Sequence, residues 1–246
     1  MILSKVQKAL SLPQRLARFR QDWRRFKVDE ATRGGDRFPD ADWTERMPSL
    51  WEATETTAYD AHYLYHVAWA VRMVTGYAPA MHVDISSSLN FCTTLSATIP
   101  TEFYDFRPTP LQLDNLICGQ ADLTQLCFND GSVASLSCMH TIEHVGLGRY
   151  GDPIDVNGDM AAASELSRVV GPGGHLLMVV PVGRARIVFN SHRIYGHDQI
   201  LAMFPSFDVV ETALVRDDRS FVCNPAATEF DDQSYGCGCF HLRKTG

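Results

Sequence analysis

The sequence predicts an α/β domain built on a mostly parallel sheet with helices on both faces. Three observations carry this. Strand-like apolar runs alternate with helical patterns from residue 57 to residue 243, which is the order of a layered α/β domain. The run His175–Pro181 is apolar without alternation, as expected of a strand covered on both sides. The 246 residues are 45% hydrophobic and 21% charged, a balance that suits one folded domain with a small appendage and excludes disordered, collagen-like and coiled-coil chains.

Taken in order, residues 57–75 have a helical pattern, with Tyr59, Tyr63, Val67, Ala70, Val71 and Val74 on one broad face and Gly76 placed to stop it. Met81–Ser86 reads as a short strand, Leu89–Ala97 as a helix, Glu102–Phe106 as the next strand and Leu116–Cys118 as a weak strand. Val133–Cys138 is an apolar strand after the turn Asn129-Asp130-Gly131. Asp159–Val170 is a helix ended by Gly171-Pro172-Gly173-Gly174, and His175–Pro181 is the strand after it. His197–Phe204 is a helix, and Phe207–Val215 and Tyr235–Arg243 are the last two strands.

The N-terminal region differs in charge. Residues 1–30 hold eight Lys/Arg against three acids, whereas the whole chain has a net charge of −7; that acidic total argues against general nucleic-acid binding. Leu16, Phe19, Trp23 and Phe26 form one apolar stripe among Arg15, Arg18, Arg20, Arg24, Arg25 and Lys27. Ser11 before Pro13 reads as a helix start, so two helices broken at Leu12–Pro13 are expected. The stripe suits docking on the main domain or a second subunit, and the basic face suits peripheral contact of residues 1–28 with an anionic membrane. Residues 30–50, rich in Gly, Pro and Asp, read as a linker. The expected organisation is therefore an extension over 1–50 and a domain over 51–246. No run of 18 apolar residues and no secretory signal is visible, and seven scattered cysteines do not make a disulfide scaffold. A reducing cytoplasm is the expected compartment, with some of the protein at the inner membrane face.

In a parallel sheet the ligand sits outside the C-terminal strand ends, where the strand order reverses. The loops after Ser86, Phe106, Leu123 and Cys138 should therefore share one cleft. Asp84 ends the first strand and Ser86, Ser87 and Ser88 begin the turn into a helix, whose N–H groups attract a carboxylate. Asp105 ends the second strand, placed to accept ribose hydroxyls, and Asp122 follows at the next strand end, placed to meet an adenine amino group. Each of these acids, taken alone, is also the type of residue that caps a turn.

The stretch ADLTQLCFNDGSVASLSCMHTIEHVGLG, followed by ELSRVVGPGGHLLMVVPVG, resembles the second half of class I S-adenosylmethionine-dependent methyltransferases. HVDISSS, EHVGLGRYGDPIDVNGD and FNSHRIY resemble signature stretches of an uncharacterised, mainly bacterial family, domain of unknown function 268. The likeness covers roughly residues 57–210. It implies a Rossmann-like fold with a seven-stranded sheet, an S-adenosylmethionine site and a role in surface-polysaccharide biosynthesis. Asp84, Ser86, Asp105 and Asp122 match family positions for the cofactor, with Ser87, Phe106, Leu123 and Met139 beside them and Ser88 a weaker match. The family loop after Asp84 is normally glycine-rich, and three serines stand there instead; serine keeps the N–H donors, but its Cβ crowds the methionine end of the cofactor.

His140, Glu143 and His144 follow the fourth strand. A histidine suits removal of a hydroxyl proton during methyl transfer, so His144 or His140 is the candidate base and Glu143 its orienting partner. Arg149, Tyr150, Asp152 and Asp155 form one polar loop, and Asn190, His192 and Arg193, with Tyr195, form a second; both suit recognition of a sugar, phosphate or nucleotide sugar. Tyr63, with Tyr59, Asp60, His62 and His66, is placed to roof the site from the helix before the first strand, although a tyrosine-rich helix is more often core. Gly146-Leu147-Gly148-Arg149-Tyr150-Gly151 satisfies a dinucleotide pattern but does not join the first strand to its helix. Asp152 to Asp159 resembles a calcium loop without its glycine and final glutamate, so an EF-hand is excluded and a looser divalent site is not favoured. Cys237, Cys239 and His241 alternate on one strand and read as buried residues rather than metal ligands.

The leading expectation is O-methylation of a sugar in a surface polysaccharide or its precursor, by a chain free to form homo-oligomers. The rival readings are a non-catalytic binding module in glycan assembly and another nucleotide-sugar enzyme on the same sheet.

Overall fold

The computed structural model describes residues 2–35 and 37–246. The chain divides into two compact units, one ending at Tyr59 and the other spanning Asp60–Gly246. In the first, α1 (Ile2–Arg33) is a single helix that passes through Pro13, so the expected break at Leu12–Pro13 is absent. Proline costs about 3 kcal/mol in a helix interior, and the flanking Leu, Gln, Arg and Ala are strong enough helix formers to carry the helix across it. The expected linker is helical as far as Arg33 and later makes a single 3-10 turn, Trp43–Glu45. Trp43 packs against Phe19 and Trp23, with ring centroids 5.9 and 5.2 Å apart. The segment that follows the helix thus covers part of its apolar stripe, while Phe26 stays exposed.

The second unit has the expected alternation of strands and helices. Its elements are α2 (Ala61–Tyr77), β1 (His82–Ile85), α3 (Leu89–Ser96), β2 (Thr101–Asp105), β3 (Leu116–Gln120), β4 (Val133–Met139), α4 (Gly158–Val169), β5 (Val170–Val182), β6 (Arg186–Val188), β7 (His192–Ile194), α5 (His197–Met203), β8 (Phe207–Val215), β9 (Phe221–Cys223), α6 (Ala227–Asp231) and β10 (Gly236–Lys244). The main sheet has the order β3-β2-β1-β4-β5-β10-β8-β9. Strands β3 to β5 are mutually parallel, and β10 runs antiparallel between β5 and β8. The sheet therefore has eight strands rather than seven: the edge strand β9 folds back onto β8, and β6 and β7 form a separate hairpin. Both were missed because three-residue strands carry no readable alternation.

All four residues of β1 are buried, and one apolar cluster lies on each face of the sheet. Helix α2 buries Ala70 and Val74 of the expected face, with Val67 and Val71 packed against the same cluster, but it adds Ala61, His66 and Trp69 and leaves Tyr63 exposed, while Tyr59 is exposed ahead of the helix. It runs past Gly76 and ends at Ala78, which takes the left-handed conformation with φ 45°. The Gly171-Pro172-Gly173-Gly174 run does not follow the helix as a turn; it lies within β5, which begins directly after α4 with Val170 paired to Val133. The strand order reverses between β1 and β4, and the C-terminal ends of β1 to β4 open on the same side.

Candidate active site

A cavity of about 390 Å³ lies at those strand ends. The turn after β1 contributes Ser86, Ser87 and Ser88, and the end of β2 contributes Asp105, Phe106 and Arg107. The segment after β3 contributes Asp122 and Leu123, and the end of β4 contributes Met139, His140 and Thr141. Tyr63, His144, Tyr150, Asp152 and Asp155 complete the wall. The expected residues that do not line it are Asp84, Glu143, Arg149, Asn190, His192, Arg193 and Tyr195, and of the roof residues only Tyr63 does, not Tyr59, Asp60, His62 or His66.

Asp84 is fully buried behind the turn. Its carboxylate accepts from the Ser87 backbone N–H at 3.0 Å, from the Cys92 thiol at 3.4 Å and from the Ser137 hydroxyl. Burial raises its pKa to about 6, against the pull of those hydrogen bonds. Asp84 thus holds the turn rather than facing the cavity. The Ser87 hydroxyl accepts from Met139 N at 2.9 Å, joining β1 to β4, and the Ser88 hydroxyl caps α3. Ser86 takes φ 58°, the conformation that glycine adopts without penalty, and its N–H donates to the Tyr104 carbonyl at 2.7 Å. Two of the three serine N–H groups are therefore already used inside the protein.

Asp105 and Asp122 stand differently. Each accepts a local backbone N–H through Oδ1, from Arg107 at 2.7 Å and Thr124 at 2.8 Å, and each lines the cavity. These are the turn-capping bonds available to any such acid, yet they leave Oδ2 for a ligand. With Phe106, Leu123 and Met139 also in the wall, these two carboxylate acceptors fit the hydroxyl and amino donors of an adenosyl group.

Across the cavity, a 3-10 turn (Ile142–His144) presents Glu143 and His144. His144 Nδ1–H donates to the Ser191 carbonyl at 2.6 Å, which fixes the tautomer and leaves the lone pair on Nε2, where the Arg149 guanidinium approaches at 3.4 Å. Burial lowers its pKa, so the ring is neutral at neutral pH. His140 has both nitrogens engaged, Nδ1 with Glu143 Oε1 at 3.2 Å and Nε2 with Cys237 Sγ at 3.4 Å. Burial opposes a charge on that ring, but the Cys237 sulfur and the Glu143 carboxylate outweigh it and raise the pKa. Burial also pushes the Cys237 thiol well up, so the sulfur keeps its proton and the upward shift rests on Glu143. Glu143 is 1% exposed, and its Oε2 is buried without a hydrogen-bond partner.

The polar loops are mostly knit to themselves. Asp152 accepts from the N–H groups of Gly146, Gly148 and Tyr150. Gly146 has φ 80°, and a Cβ there would lie 2.0 Å from the Asp155 carbonyl oxygen, so the close turn itself requires glycine. Arg193 is buried; it donates to the carbonyls of Val145 and Val156 at 2.6 and 3.1 Å and pairs with Asp159 at 3.5 Å. Arg149 donates to the Ser191 carbonyl, His192 meets the Ser191 hydroxyl at 2.8 Å, and Asn190 is exposed. Arg107 and Thr141 belong to the wall but were not expected. Arg107 stacks on Tyr150 at 4.5 Å, an approach between residues 43 positions apart that local spacing does not reveal.

The chain resembles several solved structures. N-methyltransferase NodS from Bradyrhizobium japonicum, in complex with S-adenosyl-L-homocysteine, is 13% identical over 80% of this chain and 92% of its own, with a TM-score of 0.54. The YcgJ protein from Bacillus subtilis is 12% identical over 74% and 99%, with a TM-score of 0.51. The (4+2)-cyclase SpnF is 13% identical over 79% and 85%, with a TM-score of 0.52. No curated protein matches the sequence. Residues 129–234 match the family described as Caenorhabditis protein of unknown function, DUF268; that description names Caenorhabditis, whereas the sequence resemblance implied a mainly bacterial family. The chain thus has the class I methyltransferase fold, and its residues 129–234 carry the match to that family of unknown function.

Proposed function

We propose that the protein is an S-adenosylmethionine-dependent methyltransferase acting on a hydroxyl of a sugar, in a surface polysaccharide or its precursor. The observation that carries this reading is that Asp105 and Asp122, at successive parallel strand ends, line one cavity with the turn after β1 and with His144 across from them. When bound, S-adenosylmethionine supplies the methyl group on its sulfonium. Asp105 would accept the ribose hydroxyls, Asp122 would accept from the adenine amino group, and Phe106, Leu123 and Met139 would supply apolar contact to the base. His144 Nε2 takes the acceptor's proton, and Glu143 stands 3.6 Å from that nitrogen, where its charge favours the imidazolium that forms. Tyr150, Asp152 and Asp155 orient the sugar.

Calorimetry with S-adenosylmethionine and S-adenosylhomocysteine tests this, and no heat with either at millimolar ligand removes it. A second reading, a binding module without turnover, draws on the Ser86 and Ser87 N–H groups being committed within the protein. Saturable binding of the cofactor without methyl transfer to any sugar nucleotide would favour it. The basic residues of α1 and the exposed Phe26 support peripheral contact with an anionic membrane; no helix among the described residues is long and apolar enough to cross one. Equal flotation on anionic vesicles with and without residues 1–28 would remove that contact.

A further inference from the structure

His62, in the first turn of α2, His140, just beyond β4, and Cys237, the second residue of β10, each offer a ligand atom within 4.8 Å of the other two. In tetrahedral zinc sites, metal–sulfur and metal–nitrogen bonds of about 2.3 and 2.0–2.1 Å place sulfur and nitrogen about 3.5 Å apart. His140 Nε2 and Cys237 Sγ are 3.4 Å apart. The third ligand, His62, is partly exposed, and its ring stacks beside His140 and Tyr235 at 6.0 and 5.3 Å.

The surroundings point the same way. His140 engages Glu143 through its other nitrogen, at 3.2 Å, which is the carboxylate–histidine arrangement that orients metal-bound imidazoles. Glu143 is buried with one oxygen unpartnered, and its ion-pair partners among the described residues are the histidines His140 and His144, so the positive charge it needs comes from one of those rings or from an ion beside them. A divalent ion beside one thiolate and one carboxylate makes the local charge zero. His66 adds a third imidazole: its ring lies 5.0 Å from His140, its Nδ1–H donates to the His62 carbonyl at 2.7 Å, and its buried Nε2 has no partner.

We infer that His62, His140 and Cys237 form a binding site for a soft divalent transition metal, with zinc the expected ion. One thiolate and two imidazoles favour zinc over magnesium or calcium. Binding displaces to solvent the thiol proton of Cys237 and the proton that His140 carries on Nε2, and leaves one coordination position for water, which can donate to His66 Nε2. The ion ties α2 to the ends of β4 and β10. Because His140 and Tyr63 also line the cavity, it fixes that wall. With His140 a ligand, the role of base falls to His144.

The test is a cobalt(II) titration of the full chain after treatment with a chelator, followed by competition with zinc. The expected result is one ion per chain, with a thiolate-to-cobalt charge-transfer band that zinc abolishes. Cys237→Ser should lose that band. His62→Gln, at a partly exposed position where folding is safe, should weaken cobalt binding at least about tenfold. Absence of the band in the unaltered chain, a retained band in Cys237→Ser, or undiminished affinity in His62→Gln would each overturn the site. The readout needs neither S-adenosylmethionine nor turnover, so it stands or falls apart from the proposed activity.

Discussion

On the β2 and β3 side of the cavity, the two facing carboxylates are set by their own turns. Asp105 is held by Arg107 and Asp122 by Thr124, each two residues away. On the β4 side, the histidines are set from a distance: His144 by the carbonyl of Ser191, 47 residues on, and His140 by Cys237, 97 residues on. The first wall is a series of local devices repeated at strand ends, and a change there should weaken ligand binding while leaving the chemistry of the opposite wall intact. The second wall is assembled by tertiary packing, and a change there should stop chemistry without loosening the cofactor.

The largest effect expected from this division is at His144. His144→Ala should lower methyl transfer about 10²- to 10⁴-fold with affinity for S-adenosylhomocysteine unchanged, measured by single-turnover kinetics beside calorimetry. Because burial lowers the pKa of His144, the rate should rise with pH through a midpoint below the ordinary histidine value. Turnover equal to that of the unaltered chain would leave the acceptor wall without a base.

The next effect concerns stability, and it separates Asp84 from its neighbours at the strand ends. Its pKa is raised from 3.8 to about 6 in the folded state. The folded chain therefore keeps this proton over an interval where the unfolded chain loses it. The associated stability is complete below about pH 4 and is lost as pH rises through about 6, a change of about 3 kcal/mol. Asp84→Asn carries no charge at any pH. The difference in unfolding free energy between the unaltered chain and this variant should fall across that window, and parallel stability curves would show that Asp84 is not the buried acid described here.

The contrast between the walls also explains what the sequence could tell. The strand-end acids were legible because a parallel sheet places residues at a regular interval on one edge, and the helices around them followed from 3.6-residue periodicity. The role of Asp84 was not legible: it sits at a strand end like Asp105, yet Ser137 and Cys92 surround it, and only packing distinguishes a facing carboxylate from a buried one. Along α2 the aliphatic positions Ala70 and Val74 were read correctly, but the aromatic edge was misread because Tyr63 and His66 look alike in a pattern of aromatic spacing, whereas the core takes His66 and Trp69 and leaves Tyr63 at the cavity. The cluster of His62, His140 and Cys237 was hidden for the same reason, since its members come from a helix start, a strand exit and the last strand. Arg193 read as a recognition residue but ties the loop after β4 to α4 through Val145, Val156 and Asp159.

The account depends most on Asp105 facing a ligand. Calorimetry with S-adenosylhomocysteine should give saturable binding to the unaltered chain, weakened about 10- to 100-fold in Asp105→Ala, as expected when hydrogen bonds to a charged acceptor worth about 1.5–3 kcal/mol are lost. Equal affinity in the two proteins would contradict the assignment of this cavity to an adenosyl group.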